Sequence, residues 1–428
     1  MMNTKTAKVA VSLVCTVAAV CSFAGCGGGG GSSSQNGSIE LKFQTWNLKN
    51  EKFTDYFEGL IKQFETENKG VHIKWVDQPA DNYQQKLSTD AAAKQLPDVI
   101  DMGPEPTYAL ASAGALLNIA KEDPSAKDDY IPAAWDAATM KGSRVEEGTY
   151  GLPWYLNTGP TFYNKDLLAE CGLDEKNLPK TQDDMFNQAK TFGEKCGGMY
   201  AMTTGLPSIQ DFGMYGVPLM NKDKTKFTFN DKKGVEFIQH YADMYKSKAF
   251  TDDTLNVNSN TDSKNFNSGT QAFMNGSLYS VDDIRKNSPS LFKHVGITTM
   301  VANTHPNMML EMMTVNASSA HKDMALKLAK FVTNPKNQLS FDKKANVFPS
   351  SKGTIDDPFF NPTGDDLDAV AMRMCAKQVR NGRIWGPPQL TGPAGKPFGE
   401  QVALAVQGKI SPQEALDTAV KAANDGLQ

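Results

Sequence analysis

Ile39, Leu41 and Phe43 alternate with Glu40, Lys42 and Gln44. That period of two predicts a half-buried strand over 39–45. Phe53, Tyr56, Phe57, Leu60, Ile61 and Phe64 then recur three and four apart, with Lys52, Asp55, Glu58, Lys62 and Glu65 between them. This spacing predicts a surface helix with one apolar stripe. Val71, Ile73 and Trp75 alternate again, so strand, helix and strand follow in the order of a parallel βαβ unit. The pattern repeats: a helix over 81–94 presents Tyr83, Leu87 and Ala91, a short apolar strand runs through Val99-Ile100, and Pro106 to Ala113 is helical with Gly114 as its C-cap. Further on, Thr181 to Asp184 starts a helix with Met185, Ala189, Phe192 and Cys196 inward. Asp231 to Lys246 predicts another, with Val235, Ile238, Ala242 and Tyr245 inward. His294 to Met300 is a strand candidate, and Ala325, Leu328, Ala329 and Val332 mark a helix ending before Pro335. Ser411-Pro412-Gln413-Glu414 caps the last helix. The fold class is mixed α/β.

One stretch departs from both periods. Tyr150 to Asp166 is rich in aromatic and β-branched residues but is broken by Pro153 and Gly159-Pro160. An extended, interrupted segment near mid-chain suits a crossing between two lobes. Its order G-x-P, apolar run and Tyr163-Asn164-Lys165-Asp166 resembles the extracellular solute-binding proteins of ABC importers, in particular the carbohydrate type related to maltose-binding protein. Leu96-Pro97-Asp98-Val99-Ile100 followed by a helix and Ala113 to Ile119, and the run Phe266 to Gly276, extend the likeness over nearly all of the chain after its leader. The resemblance implies a two-lobe periplasmic-binding-protein-like fold of type II, its lobes discontinuous and joined by hinge crossings. It implies lobe 1 over 39–154 plus 296–345 and lobe 2 over 155–295 plus 346–428, with 294–300 a candidate for the return crossing.

The N-terminus reads as an address. Lys5 and Lys8 precede an apolar or small run from Val9 to Ala24, a length suited to a signal segment over 1–26. Ser22-Phe23-Ala24-Gly25-Cys26 resembles a bacterial lipobox, with Phe23 where Leu is usual, and implies a lipid on Cys26. Plain secretion without an anchor is the other reading. Residues 27–38 begin with Gly27 to Gly31 and Ser32 to Ser34, a flexible tether.

Composition narrows the function. The 428 residues carry 48 acidic and 44 basic side chains, a net charge of −4, which argues against nucleic acid as a partner. Beyond the leader, Cys171, Cys196 and Cys375 make an odd set without metal-like spacing. A disulfide framework is not expected, although one pair remains open. The five His are scattered without H-E-x-x-H, and G-x-S-x-G is missing. Asn258-x-Asn260-x-Asp262 hints at a calcium loop, but Ser263 and Gly269 occupy positions that need Gly and Glu. No cofactor, metal or covalent chemistry is expected.

A reversible sugar site needs aromatic faces for the C–H side of the ring and amides or carboxylates for its hydroxyls. It should lie where loops converge at the carboxyl ends of strands. The candidates are Trp46 and Asn47 after the first strand, Met102 and Glu105 after the Val99 strand, Asn157 on the crossing, Gln210 and Asp211 in a Gly/Pro-bounded loop, Tyr279 after Gly276, and Trp385 in a late loop. At the Met102 position the family commonly carries an aromatic. Trp46, Trp154 and Trp385 each read equally as packing, and Glu105 also suits a helix N-terminus. Trp75 and Trp135 read as packing. The expected partners are a carbohydrate, the transmembrane subunits of an ABC permease and, through the lipid, a membrane; the expected state is a monomer. A binding protein for a non-sugar solute, a tethered glycan hydrolase and an adhesin are the rivals.

Overall fold

The computed structural model describes residues 38–255, 261–390 and 392–427. The leader, Cys26 and the tether up to Gly37, with Asn258 and Asn260 of the calcium-like run, lie outside them. Among the described residues no helix is long and apolar enough to cross a membrane.

The first three strands follow the alternating pattern: β1 (Ile39–Trp46), β2 (Val71–Gln78) and β3 (Val99–Met102), separated by α1 (Thr54–Glu67) and α2 (Tyr83–Ala92) and followed by α3 (Pro104–Ser112). A small hairpin, β4 (Thr139–Gly142) and β5 (Val145–Thr149), precedes β6 (Leu152–Asn157). The chain continues through β7 (Thr161–Asn164), β8 (Phe273–Asn275), β9 (Val295–Thr298), β10 (Met309–Val315) and β11 (Phe348–Pro349). Six strands form one sheet in the order β11-β6-β10-β3-β1-β2, and three form a second in the order β8-β7-β9. β1 runs parallel to both β2 and β3, whereas β10 is antiparallel to β3 and β6. Helices pack around each sheet, giving a mixed α/β fold in two lobes.

Strands run across three of the expected lobe bounds, the third where Phe348 and Pro349 pair with β6 in the six-stranded sheet. Tyr155 to Asn157 belong to the six-stranded sheet through β6, and Gly296 to Thr298 pair with β7 in the three-stranded sheet. The segment 294–300 therefore includes a strand of the smaller sheet, and the chain returns between Thr298 and Met309. The outward crossing is Thr158-Gly159-Pro160. The two crossings are stitched together. Gln378, buried, donates its amide to Gly159 O (3.0 Å) and accepts from Met300 N (2.7 Å). Thr158 Oγ1 donates to Asn307 O at 2.9 Å. Gly159 is required by close approach: a Cβ there would meet Gly276 O at 1.7 Å.

Pro153 is accommodated by a register shift. Glu311 opposes Tyr155 while Met312 opposes Pro153, leaving Trp154 as the extra residue of a bulge. The bulge lets neighbouring residues share one face: Trp154 and Tyr155 both lie against Phe341, at ring separations of 4.4 and 5.6 Å. This face carries a core of Phe43, Phe57, Trp154, Met313 and Val332. The smaller lobe has its own core of Phe212, Phe229, Phe237 and Leu416. A third cluster runs from Ile100 and Leu310 under the large sheet to Phe162 and Met274 of the small one. In the helix Lys232–Lys246 the buried stripe is Phe237, Ile238, Tyr241 and Met244, so the expected stripe through Val235 and Tyr245 is rotated toward the larger aromatics. Trp75 packs on Phe57 and Trp135 stacks on Tyr130.

Cys171 and Cys196 form a disulfide, one of the three pairings the sequence left open, and Cys375 is free and buried. They end the helices Lys165–Glu170 and Gln182–Cys196, which the sequence patterns place without revealing that they meet.

Asp342, in the helix Pro335–Ala345, is fully buried and neither carboxyl oxygen has a hydrogen-bond partner among the described residues. Burial holds its pKa well above the ordinary carboxylate value. A folded-state pKa above the unfolded one means stability is fully present below about pH 3.8, the ordinary Asp value, and is lost as pH rises through the folded value. Asp342→Asn is expected to raise neutral-pH stability by roughly 1 kcal/mol and to flatten its pH dependence. Urea denaturation at pH 5 and pH 8 checks both.

Candidate functional site

At the carboxyl ends of β1 and β3, α2, the start of α3 and the start of β10 form one bank of a cleft. The start of the helix Ile209–Tyr215 and the loop Ile384 to Leu390 form the other. The cavity holds about 430 Å³. Trp46 and Tyr83 supply rings 6.3 Å apart, and Gln84, Gln210 and Asn307 supply amides. Pro104, Pro106, Pro387, Pro388, Ile209 and Leu390 supply apolar wall. Glu105 and Glu311 are the charged residues on the wall, which contains no Lys, Arg or His among the described residues.

The floor arises from the pleat. Asp77, Thr45, Asp101, Glu311 and Tyr155 occupy neighbouring strands in the order β2-β1-β3-β10-β6. Asp77, Thr45 and Asp101 extend the alternation of Ile73 and Trp75, of Leu41 and Phe43, and of Val99, so these three carry the apolar face of the sheet into a polar edge. Thr45 Oγ1 donates to Asp77 at 2.6 Å, and the Trp75 indole donates to Thr45 Oγ1 at 2.9 Å. Asp101 and Glu311 are less well served: apart from a weak approach of Trp46, neither oxygen of Asp101 nor Oε2 of Glu311 has a hydrogen-bond partner within bonding geometry among the described residues. The two carboxyl groups face each other. Burial, then the neighbouring Glu311 carboxylate, pushes the Asp101 pKa well up. Burial pushes Glu311 up to about 8, opposed by Asp101 and by the indole of Trp46. Gly103 lies opposite Glu311, whose Oε1 would be in ordinary contact, 3.4 Å, with a Cβ there. On the other face, Gln44 donates to Tyr83 Oη, which donates to Asp101 O at 2.7 Å and fixes the ring.

Of the sequence candidates, Trp46, Glu105 and Gln210 stand on the wall. Glu105 lies inside α3, which starts two residues earlier than expected, at Pro104. Trp385 lines an adjoining recess that shares Pro104, Ile384, Gly386, Pro387 and Pro388 with the cleft. Its indole donates to His305 O at 2.9 Å and its ring lies against Gly213, where a Cβ would come within 2.7 Å. Lys141, Lys224 and Arg383 also line that recess.

The others are elsewhere. Met102 is fully buried in the core beneath the sheet, because β3 is covered on both faces. Asp211 caps its own helix, accepting from Ser208 N and Oγ at 2.7 and 2.6 Å. Tyr279 is 74% exposed, since Leu278, Val281 and Ile284 take the core side of its helix. Asn47 turns at positive φ with its side chain in solvent. Asn157 ends β6 beside Met309 and does not line the cavity. Sequence reasoning missed Asp101, Glu311, Tyr83 and Gln84. The available signal was one charged residue in the apolar run Met308 to Val315, and one in Val99 to Met102.

Residues 50–339 match the profile of the bacterial extracellular solute-binding proteins. The chain belongs to that family. Among its relatives is the diacetylchitobiose binding protein of Streptomyces coelicolor, 28% identical over 49% of each chain. The matched stretch thus spans about half the length of that relative. The galactooligosaccharide-binding protein of Bacillus subtilis is 24% identical over 98% of this chain and 97% of its own. In three dimensions the sugar-binding protein MalE of Xanthomonas citri superposes with a TM-score of 0.71 at 20% identity, covering 91% of this chain and 97% of that one. This likeness is one of fold: this solute-binding protein has the type II periplasmic-binding-protein architecture.

Proposed function

We propose that this solute-binding protein is the receptor subunit of an ABC importer and captures an uncharged oligosaccharide between its lobes. The observation that carries the reading is the composition of the cleft wall. It combines an indole and a phenol ring with three amides and offers no cation. Rings cover the C–H face of a pyranose, and amides match hydroxyls, which donate and accept at once. A phosphorylated or carboxylated solute would meet Glu105 and Glu311 and no Lys, Arg or His among the described wall residues, at a cost in repulsion and desolvation. The sugar-binding relatives support the reading. Lobe 1 then comprises 39–157 with 309–349, and lobe 2 comprises 161–298 with the C-terminal helices. Ligand contacts to both banks favour a closed arrangement about the stitched crossings, the form that docks on the permease. The Ser22 to Cys26 run supports a lipid on Cys26, holding the receptor at the outer face of the cell membrane as a monomer.

A thermal-shift screen tests the reading. The panel contains diacetylchitobiose, galactooligosaccharides, maltodextrins, a hexose phosphate and spermidine. At a hundredfold excess over Kd a bound ligand contributes about 2.7 kcal/mol. A neutral glycan is expected to raise the melting temperature and to be recovered intact. Stabilisation by the phosphate or the polyamine alone, or turnover of the glycan, contradicts the reading. With the glycan found, Trp46→Ala is expected to lose about 2 kcal/mol of binding, roughly thirtyfold in Kd, by removing the ring face. Calorimetric titration checks it, and an unchanged affinity removes Trp46 from the site.

A further inference from the structure

We infer that Asp101 and Glu311 hold one proton between them and that Glu311 offers the pair to a ligand hydroxyl at the floor of the cleft, so that glycan capture is strong while the pair is protonated and weakens when it ionises. The inference rests on the sugar reading for the identity of the ligand, and on the geometry for the rest. Two carboxyl groups face each other below Trp46. Asp101 is buried, and Oε2 of Glu311 is buried without a partner although Glu311 borders the cavity.

Among the described residues, the groups around the pair offer no counter-charge. Asp77, from β2, is a third carboxylate and raises Asp101 further. Tyr155, from β6, and Tyr83, from α2, are phenols whose pKa values are raised, first by burial and then by these carboxylates, so they stay neutral. Trp46 at the end of β1 offers an indole N–H and a backbone group, not a cation. Two like charges in such a place cannot both ionise cheaply, and a shared proton supplies the missing donor. A protonated pair both donates and accepts, as a sugar hydroxyl does. An ionised pair can only accept, and its added charge repels any anionic solute. Burial raises Glu311 well above the ordinary carboxylate range, so the change falls on the alkaline side of that range.

The test uses the full chain and the glycan found in the screen, titrated calorimetrically from pH 6 to pH 9. If binding requires one proton, Kd rises tenfold per pH unit above the titration point, so about tenfold weakening at pH 9 relative to pH 7 is expected. Glu311→Gln keeps a neutral donor and acceptor. It is expected to flatten the pH dependence of binding, whereas Glu311→Leu loses affinity at every pH. A flat wild-type profile, or a Glu311→Gln protein with the wild-type slope, overturns the inference. A second arm needs no ligand: carboxyl ¹³C shifts of the free protein should show the pair titrating above the ordinary range, and Glu311→Gln should remove the Glu311 signal and lower the titration point of Asp101, which burial still keeps raised. If both carboxyls titrate below pH 5, the inference fails even without a ligand. If the raised titration is present but no glycan in the panel binds, the sugar reading fails and the shared proton stands.

Discussion

Trp154→Ala is expected to destabilise the protein by about 3–5 kcal/mol, the range for removing a large aromatic from a packed core. The indole is fully buried, stacks on Phe341 with centroids 4.4 Å apart and meets Phe57 edge-on at 6.3 Å. Phe341 also touches Phe53, Tyr56 and Tyr155, so the surroundings are rings that cannot easily collapse into the gap. The loss falls on the bulge opposite Glu311 and Met312 and should loosen the cleft floor as well. Urea denaturation measures the energy. A change below about 1 kcal/mol, the scale of surface substitutions, would show that Trp154 is not a keystone of this core.

Replacing both Cys171 and Cys196 with Ser is expected to cost about 3.5 kcal/mol, from the loop-closure entropy of a 25-residue separation. The bridge ties the end of the helix Lys165–Glu170, just after the outward crossing, to the end of the helix Gln182–Cys196. The expected signature is specific: reductant should lower wild-type stability to that of the double variant and leave the variant unchanged. Cys375 does not confuse the reading. Burial pushes its thiol up to about 12, and it carries little thiolate at neutral pH. Equal stability of wild type with and without reductant would count against a structural role for the bridge.

Both elements show what the sequence discloses and what it withholds. Alternation and helical spacing place β1, α1, β2 and α3 because each buries one face against a neighbour, and that face is written locally. The ordered motifs carry the family. The disulfide was withheld because the helix ends meet through tertiary packing, which a spacing of 25 residues cannot express. The same limit applies to the site. Trp46, Glu105 and Gln210, which follow strands or begin helices where loops converge, stand on the cleft wall. Met102 stands off the cleft because the end of β3 is roofed by other elements, and Tyr279 because its helix turns Leu278 inward instead. Asp101 and Glu311 lie 210 residues apart in sequence, and only the antiparallel register of β10 against β3 joins them. A lone acid in an apolar strand marks a place to look; what it faces depends on which strand lies beside it.

The account depends on a neutral glycan seated between two banks that come from different lobes. Amide hydrogen exchange with and without the stabilising glycan tests this most directly. Slower exchange is expected at Gly103, Glu105 and Thr107 on one bank, and at Ile209, Gln210 and Ile384 to Gly386 on the other, in the same experiment. Protection confined to one bank, or found only away from both, would contradict it.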